Sequence, residues 1–373
     1  MIGQWIADID GDIPASIRID LEDRGQDYFG HAYLFYPGAD LPGLLFPIHL
    51  PKDAPLKAEI STVYLYSNGG IMSAEDRASA EARLTETYGV PPPAALAVEF
   101  SMSGENLQID WVGDHDRTGS INLTKSDTSG ASGLNSRVDL PTWGAFREWA
   151  VSQRPRQYIF RGQCSPYKLV SAFHRTWRND LHTWIADDTS RLFGAVAEKL
   201  NYPLQIGNMQ HNAAIWSILQ HHGYPTPMLD WSFSPFVAAY FAFQNAHPSD
   251  GHSPRIFIFD QVGWNARYGK AQFIVDAAPD QLVVIESMAV ANPRHGPQQA
   301  VSTVTNIADI EAFIRRREEE DGASYLTVCD LPADSRPQIM RELELMGITY
   351  GSLFPGLDGI CRDMRDRLFA RPE

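Results

Sequence analysis

Three cysteines in 373 residues, Cys164, Cys329 and Cys361, are too few and too widely spaced to frame a fold with disulfides or to build a zinc knuckle. They read as reduced thiols in a cytoplasmic protein. No run of about 18 apolar residues occurs, so no membrane-spanning helix is expected and no membrane partner with it. The start, Met1-Ile2-Gly3-Gln4-Trp5 followed by acids, lacks the basic-then-apolar plan of a secretory leader. Internal repeats and low-complexity tracts are missing. So are a Ser-His-Asp order, a P-loop and a Gly-x-Gly-x-x-Gly fingerprint, which leaves nucleophilic hydrolysis and ordinary phosphoryl transfer without their usual parts. Basic residues are scarce at the front. The first 130 positions hold 8 Lys and Arg against 20 Asp and Glu, and so carry −12 of the net −15. That argues against a general nucleic-acid-binding surface, which gains affinity by neutralising phosphates. It suits plain solubility or a basic protein partner at the front unit.

What is present is core-forming material: 44% hydrophobic and 11% aromatic residues over a length that accommodates two domains. Residues 1–125 predict an acidic, all-β sandwich or small barrel with one helix. Short alternating runs at 5–9, 16–21, 28–36, 57–66, 95–102, 107–111 and 121–123 are parted by turn formers, with a helix over 73–88 closed by Gly89. Residues 126–140, rich in Ser and Gly, read as a linker. From 141 to 373 helices and strands alternate, which predicts a mixed α+β second domain. The fold class is therefore α+β.

The second domain is organised around residues 220–242. Gly223 stops a helix in the left-handed conformation, and Pro225 and Pro227 force an extended path. Met228 to Trp231 reads as a short strand. Ser234-Pro235 then opens an apolar helix as N-cap and first residue. Polar residues fall at the joints of this stretch, at one rim of a packed core.

Arg161 follows the apolar strand Tyr158-Ile159-Phe160 and precedes Gly162. A guanidinium there can hold a diphosphate or carboxylate, with the glycine admitting a ligand to the backbone; equally, it can pair with Asp230 or Asp358 as a strut between strands. Asp230 and Ser232 share one strand face. Either orients Arg161 and a ligand, or serves the amides that start the next helix. Asn292, Arg294, Gln298 and Gln299 make a loop suited to reading hydroxyls and an amide. The histidines do not predict a metal site. His31, His49 and His115 stand alone, His211 and His222 lie about 16 Å apart by helix rise, and His221 and His222 point apart. One of that last pair can still serve a pocket by hydrogen bonding or stacking.

Phe160-Arg161-Gly162-Gln163, Gln220-His221-His222-Gly223 through Thr226 to Leu229-Asp230-Trp231, and Pro235 to Phe241-Ala242 resemble the FRG domain family. Asn292-x-Arg294 with Gln298-Gln299, and Leu353-Phe354-Pro355-Gly356-Leu357-Asp358-Gly359, extend the resemblance over roughly residues 142–370. Pro227 and Met228 stand where the family more often shows Arg and Leu, and Ala300 where it tends to have Gly. The layout is also similar, more distantly, to that of ADP-ribosyltransferases. That likeness implies NAD as a substrate, a macromolecular acceptor, and a role as a toxin or phage-defence effector. It implies catalytic parts for Arg161, Ser232 and Gln298. NAD contacts would come from Arg161, Gly162, Gln163, His222, Asp230, Ser232, Asn292, Arg294 and Gln299. Gln298 or Gln299 occupies the place of a Glu, and an amide supplies neither a general base nor full negative charge. A non-enzymatic sensing module and an NAD hydrolase are the competing expectations.

Overall fold

The structure, a computed structural model, describes residues 1–37, 41–53, 55–67, 70–114, 117–200, 204–205, 208–269, 279–290 and 292–369. His115 lies outside the described residues.

The front of the chain alternates because it forms strands with one buried face. These are β1 (Gly3–Ile9), β2 (Ala15–Asp23), β3 (Asp27–Phe35), β4 (Gly43–Pro51), β5 (Leu56–Ile60), β6 (Tyr64–Ser67), β7 (Gly70–Ile71), β8 (Leu96–Ser103), β9 (Asn106–Gly113) and β10 (Thr118–Lys125). They make one antiparallel sheet in the order β5-β8-β9-β10-β1-β2-β3-β4-β6-β7. The β5 edge packs back against β4, so eight of the strands curl into a ring. That closure has no hydrogen-bonded ladder, and Pro47 on β4 has no N–H to offer one. The Ala74–Tyr88 helix is capped as its sequence demands, by Ser73 accepting from the Asp76 N–H and by Gly89 at φ 73°. It buries Ala80 and Leu84 against the sheet.

The expected run over 57–66 is two strands, β5 and β6, and three strands were not anticipated. β4 reads as a continuous apolar stretch interrupted by Pro47, which masks its period. β7 is two residues long, too short to show alternation, and β15 is rich in Ser and Thr.

The rear sheet comprises β11 (Tyr158–Gln163), β12 (Met228–Ser232), β13 (Arg255–Asp260), β14 (Leu282–Ile285), β15 (Ala300–Thr305) and β16 (Leu326–Asp330), in the order β14-β15-β12-β11-β13-β16. All pairings are antiparallel. Helices cover both faces, so successive strand residues enter opposite cores. Phe160, Ile256 and Ile258 pack with Trp143, Phe146 and the Pro235–Phe243 helix. Ile159, Phe257 and Phe259 pack with Trp231, Trp264 and Phe313.

Residues 126–140, expected as a linker, are tied down along their length. Ser132 Oγ donates to Glu311 Oε2 at 2.7 Å, and Ser136 bridges to Val328 in β16. The two units meet in a buried polar seam. Gln4 Nε2 donates to the Asn306 carbonyl at 2.8 Å, and its Oε1 accepts the Ala308 N–H at 2.8 Å. The fully buried Glu22 carboxylate accepts from Arg178 Nε at 2.8 Å and from the N–H groups of Asn179 and Asp180 at 2.9 and 2.8 Å. His31 Nδ1 lies 2.9 Å from Asp180 Oδ1, so this histidine is structural. Arg18, also fully buried, lies between Asp280 at 2.5 Å and Asp20 at 3.4 Å.

Candidate functional site

Strand β11 joins β12 by a single residue pair, Phe160 opposite Ser232. Beyond that pair the two strands part, because β11 stays registered on β13 through Gln163 while β12 stays registered on β15. The fork opens onto a cleft of about 490 Å³, within the range of small-molecule sites.

Arg161 occupies the fork, inside the strand and not after it. Its Nη1 donates to the backbone carbonyl of Asp230 at 2.6 Å, and its Nε is buried with no hydrogen-bond partner among the described residues. Burial pulls the guanidinium down to about 10; nearby Asp230 opposes that fall and Arg175 adds to it. It stays charged at neutral pH. The alternative of a strut to the Asp230 carboxylate gives way to a contact with the Asp230 carbonyl, and the Asp230 side chain remains exposed at the cleft.

Gly162 lines the cleft, and its lack of a side chain is required by a packed helix. A Cβ there would lie 1.8 Å from the Ala238 carbonyl oxygen and 2.6 Å from the Ala242 nitrogen. Only a glycine lets the Pro235–Phe243 helix sit this close to β11. Ser232 is also committed locally. Its hydroxyl donates to the Gln298 carbonyl at 2.7 Å and accepts the Ser234 N–H at 3.0 Å, which pins the 292–299 loop to the start of the helix.

That loop supplies the opposite wall. Asn292 Oδ1 accepts the Arg294 N–H at 3.2 Å, and Arg294 lies over the Phe354 ring at 4.8 Å. The Gln298 amide donates to the Leu353 carbonyl at 3.1 Å. Gln299 takes the left-handed backbone, φ 45°, and Ala300 begins β15 opposite Ser232. The conformational demand therefore falls on Gln299 itself, so Ala300 needs no glycine. Gln299 is exposed outside the cleft lining, with its carbonyl accepting the Phe233 N–H at 3.0 Å.

His222 ends the Met209–His221 helix, exposed and away from the cleft; its neighbour His221 lines it. Burial lowers the His221 pKa, with Arg294 and His222 adding to the effect, so a neutral imidazole faces the cleft at neutral pH. The cleft thus gathers Arg161, Gly162, Gln163, Asp230, Ser232, Asn292, Arg294 and Gln298, and leaves out His222 and Gln299.

Two groups were missed in the sequence. His295 stands between Asn292-x-Arg294 and Gln298, and its Nε2 is buried with no hydrogen-bond partner among the described residues. Phe354 stacks on Tyr350 at 4.3 Å and carries Arg294. Both lay inside stretches already marked, but a residue within a motif gives no sign of which way it faces. Gln163 Nε2 is a third buried nitrogen of the lining without a partner among the described residues. The lining holds two guanidiniums and one carboxylate, in a chain of net charge −15. No group of three or more metal-binding side chains occurs among the described residues.

Residues 156–251 match the model of the FRG domain. The match takes in β11, the Gln220–Gly223 turn, β12 and the Pro235–Phe243 helix, and stops short of the 292–299 loop and Phe354. No curated protein and no solved structure matches the chain.

Proposed function

We propose, with the FRG match as premise, that the rear unit binds NAD as a substrate and transfers its ADP-ribose to a macromolecular acceptor. The observation that carries this reading is the set of unpartnered nitrogens around one cleft: Arg161 Nε, Gln163 Nε2 and His295 Nε2. A buried polar nitrogen without a partner costs about 1–3 kcal/mol, so three around one cleft fit a ligand rich in hydrogen-bonding oxygens. Excess positive charge in an acidic protein fits a diphosphate. In this reading Arg161 and Arg294 hold the diphosphate, while Gln163 and His295 take hydroxyl or amide oxygens. Gln298, anchored through its amide N–H, offers its oxygen to a ribose hydroxyl. The bond from ribose C1′ to the nicotinamide nitrogen breaks, and nicotinamide leaves with the electron pair. The acceptor's nucleophile bonds C1′ and releases its proton to solvent. Asp230, the one lining carboxylate, faces the positive charge that develops on the ribose. Such modification of a cellular target is the chemistry of a toxin or phage-defence effector.

A second reading rests on a specific observation. Gln298 stands where full negative charge is wanted, and the Ser232 proton is already given to a carbonyl. Binding without turnover, as in a sensing module, accords with both. Incubation of the purified protein with labelled NAD and a cell lysate separates the readings. Label on a macromolecule supports transfer, free ADP-ribose without labelled target supports hydrolysis, and calorimetric binding with neither supports sensing. Absence of binding at millimolar NAD refutes the NAD reading altogether.

A further inference from the structure

A mostly apolar space lies in the front unit, away from the cleft. Eight strands is about where a closed sheet becomes just wide enough to hold one small ligand. The ring of β5, β8, β9, β10, β1, β2, β3 and β4 encloses a cavity of about 520 Å³. Its wall is built from Ile19, Leu44, Phe46, Ile48, Phe100 and Ile109, each 7% exposed or less. Close-packed interiors hold few voids larger than a water molecule, and wall atoms facing a void lose their dispersion contacts. An apolar space of this size is therefore anomalous as core and ordinary as a binding site.

The antiparallel order puts one end of every strand at the same rim. There β1 ends at Ile9, β3 at Phe35 and β9 at Gly113, while β8 begins at Leu96 and β10 at Thr118. Ile9, Tyr88 and Val90 stand at this rim as exposed apolar side chains continuous with the cavity lining. The charged residues of the lining are also here, and both are already satisfied. Arg117 donates to the Pro91 carbonyl at 2.7 Å and pairs with Asp114; Asp8 accepts from Ser16 at 2.7 Å and from Arg316 at 3.3 Å. No unpaired charge waits for a charged headgroup.

We propose that the front unit is a receptor for an uncharged, lipid-like small molecule, its apolar body inside the curled sheet and any polar end at the Arg117 and Ser120 rim. The site is independent of the NAD reading. The test uses the full chain and the neutral fluorophore N-phenyl-1-naphthylamine. Saturable emission at one probe per chain is expected. 1-Dodecanol should displace the probe at least about 10-fold more effectively than dodecanoate and should raise Tm. The rim variant Val90→Glu should weaken probe binding by about 5-fold or more, with Val112→Glu, exposed outside the lining, leaving it unchanged. Absence of saturable binding, or an equal effect of Val90→Glu and Val112→Glu, overturns the site. Equal displacement by dodecanoate overturns the claim that the occupant is uncharged.

Discussion

Replacing Arg161 by alanine separates a ligand-binding guanidinium from a strut, and the structure sets both magnitudes. The depression of its pKa from 12.5 to about 10 by burial corresponds to about 3 kcal/mol against the charged form, at 1.36 kcal/mol per pKa unit. Against this stands one hydrogen bond from a charged group, to the Asp230 carbonyl at 2.6 Å, which contributes about 1.5–3 kcal/mol. The two nearly cancel, so Arg161→Ala is expected to leave Tm within about 4 °C of the parent. Affinity should respond differently. If Nε and the remaining guanidinium protons meet a diphosphate, removing them costs about 1.5–3 kcal/mol of binding, or roughly 10- to 150-fold in Kd. The assay pairs titration calorimetry with NAD and differential scanning calorimetry of both proteins. A fall in stability of 3 kcal/mol or more with unchanged NAD affinity refutes the argument, because it makes the guanidinium a net tie between β11 and β12. Arg161→Lys gives a second reading of the same question. It keeps the charge but loses the planar fork, so it should also leave Tm near that of the parent and recover little of the affinity.

Gly162→Ala forces a Cβ to 1.8 Å from the Ala238 carbonyl, so β11 and the Pro235–Phe243 helix must separate. Urea unfolding should show a loss at or above the roughly 3 kcal/mol upper end of ordinary overpacking. Glu22→Ala strips the seam of the group that holds Arg178 and two backbone N–H groups; a loss of about 3–5 kcal/mol is expected by chemical denaturation. The pH dependence has two opposed contributions. Burial, with Arg18 nearby, holds His174 down at about 3, below the ordinary 6.5, so its contribution is complete above pH 6.5 and is lost as pH falls toward 3. Burial pushes Asp20 up to about 7, although Arg18 and Gln4 oppose it, so the native state binds the extra proton between pH 4 and 7 and its contribution falls as pH rises through that window. Tm measured from pH 4 to 7 should therefore drop more steeply on acidification in Asp20→Asn than in the parent, and less steeply in His174→Gln. The reverse order of slopes counts against both assignments.

Local chemistry was legible wherever one residue type answers one backbone demand. Ser234 and Pro235 begin a helix, and Gly89 and Gly223 take positive φ. What escaped was set by neighbours distant in sequence. β15 carries Thr303 and Thr305, polar residues that give no strand signal until Trp231 Nε1 and the Gln281 carbonyl supply hydrogen-bond partners that let them be buried. The Phe-Arg-Gly strand shows the same division within three residues. Its apolar part announced a strand correctly. The sequence left Arg161 between a ligand and a strut to Asp230 or Asp358 and read Gly162 as an opening to the backbone; the packed helix requires the glycine, and a carbonyl holds part of the arginine. The fork between β11 and β12 is itself a long-range consequence: each strand keeps full register with its outer neighbour, and only one pair is left between them. The cleft follows from that competition between ladders. It is why its lining comes from segments more than 180 residues apart, Arg161 and Phe354 among them, and why no single stretch of the chain could reveal which nitrogens it leaves unpaired.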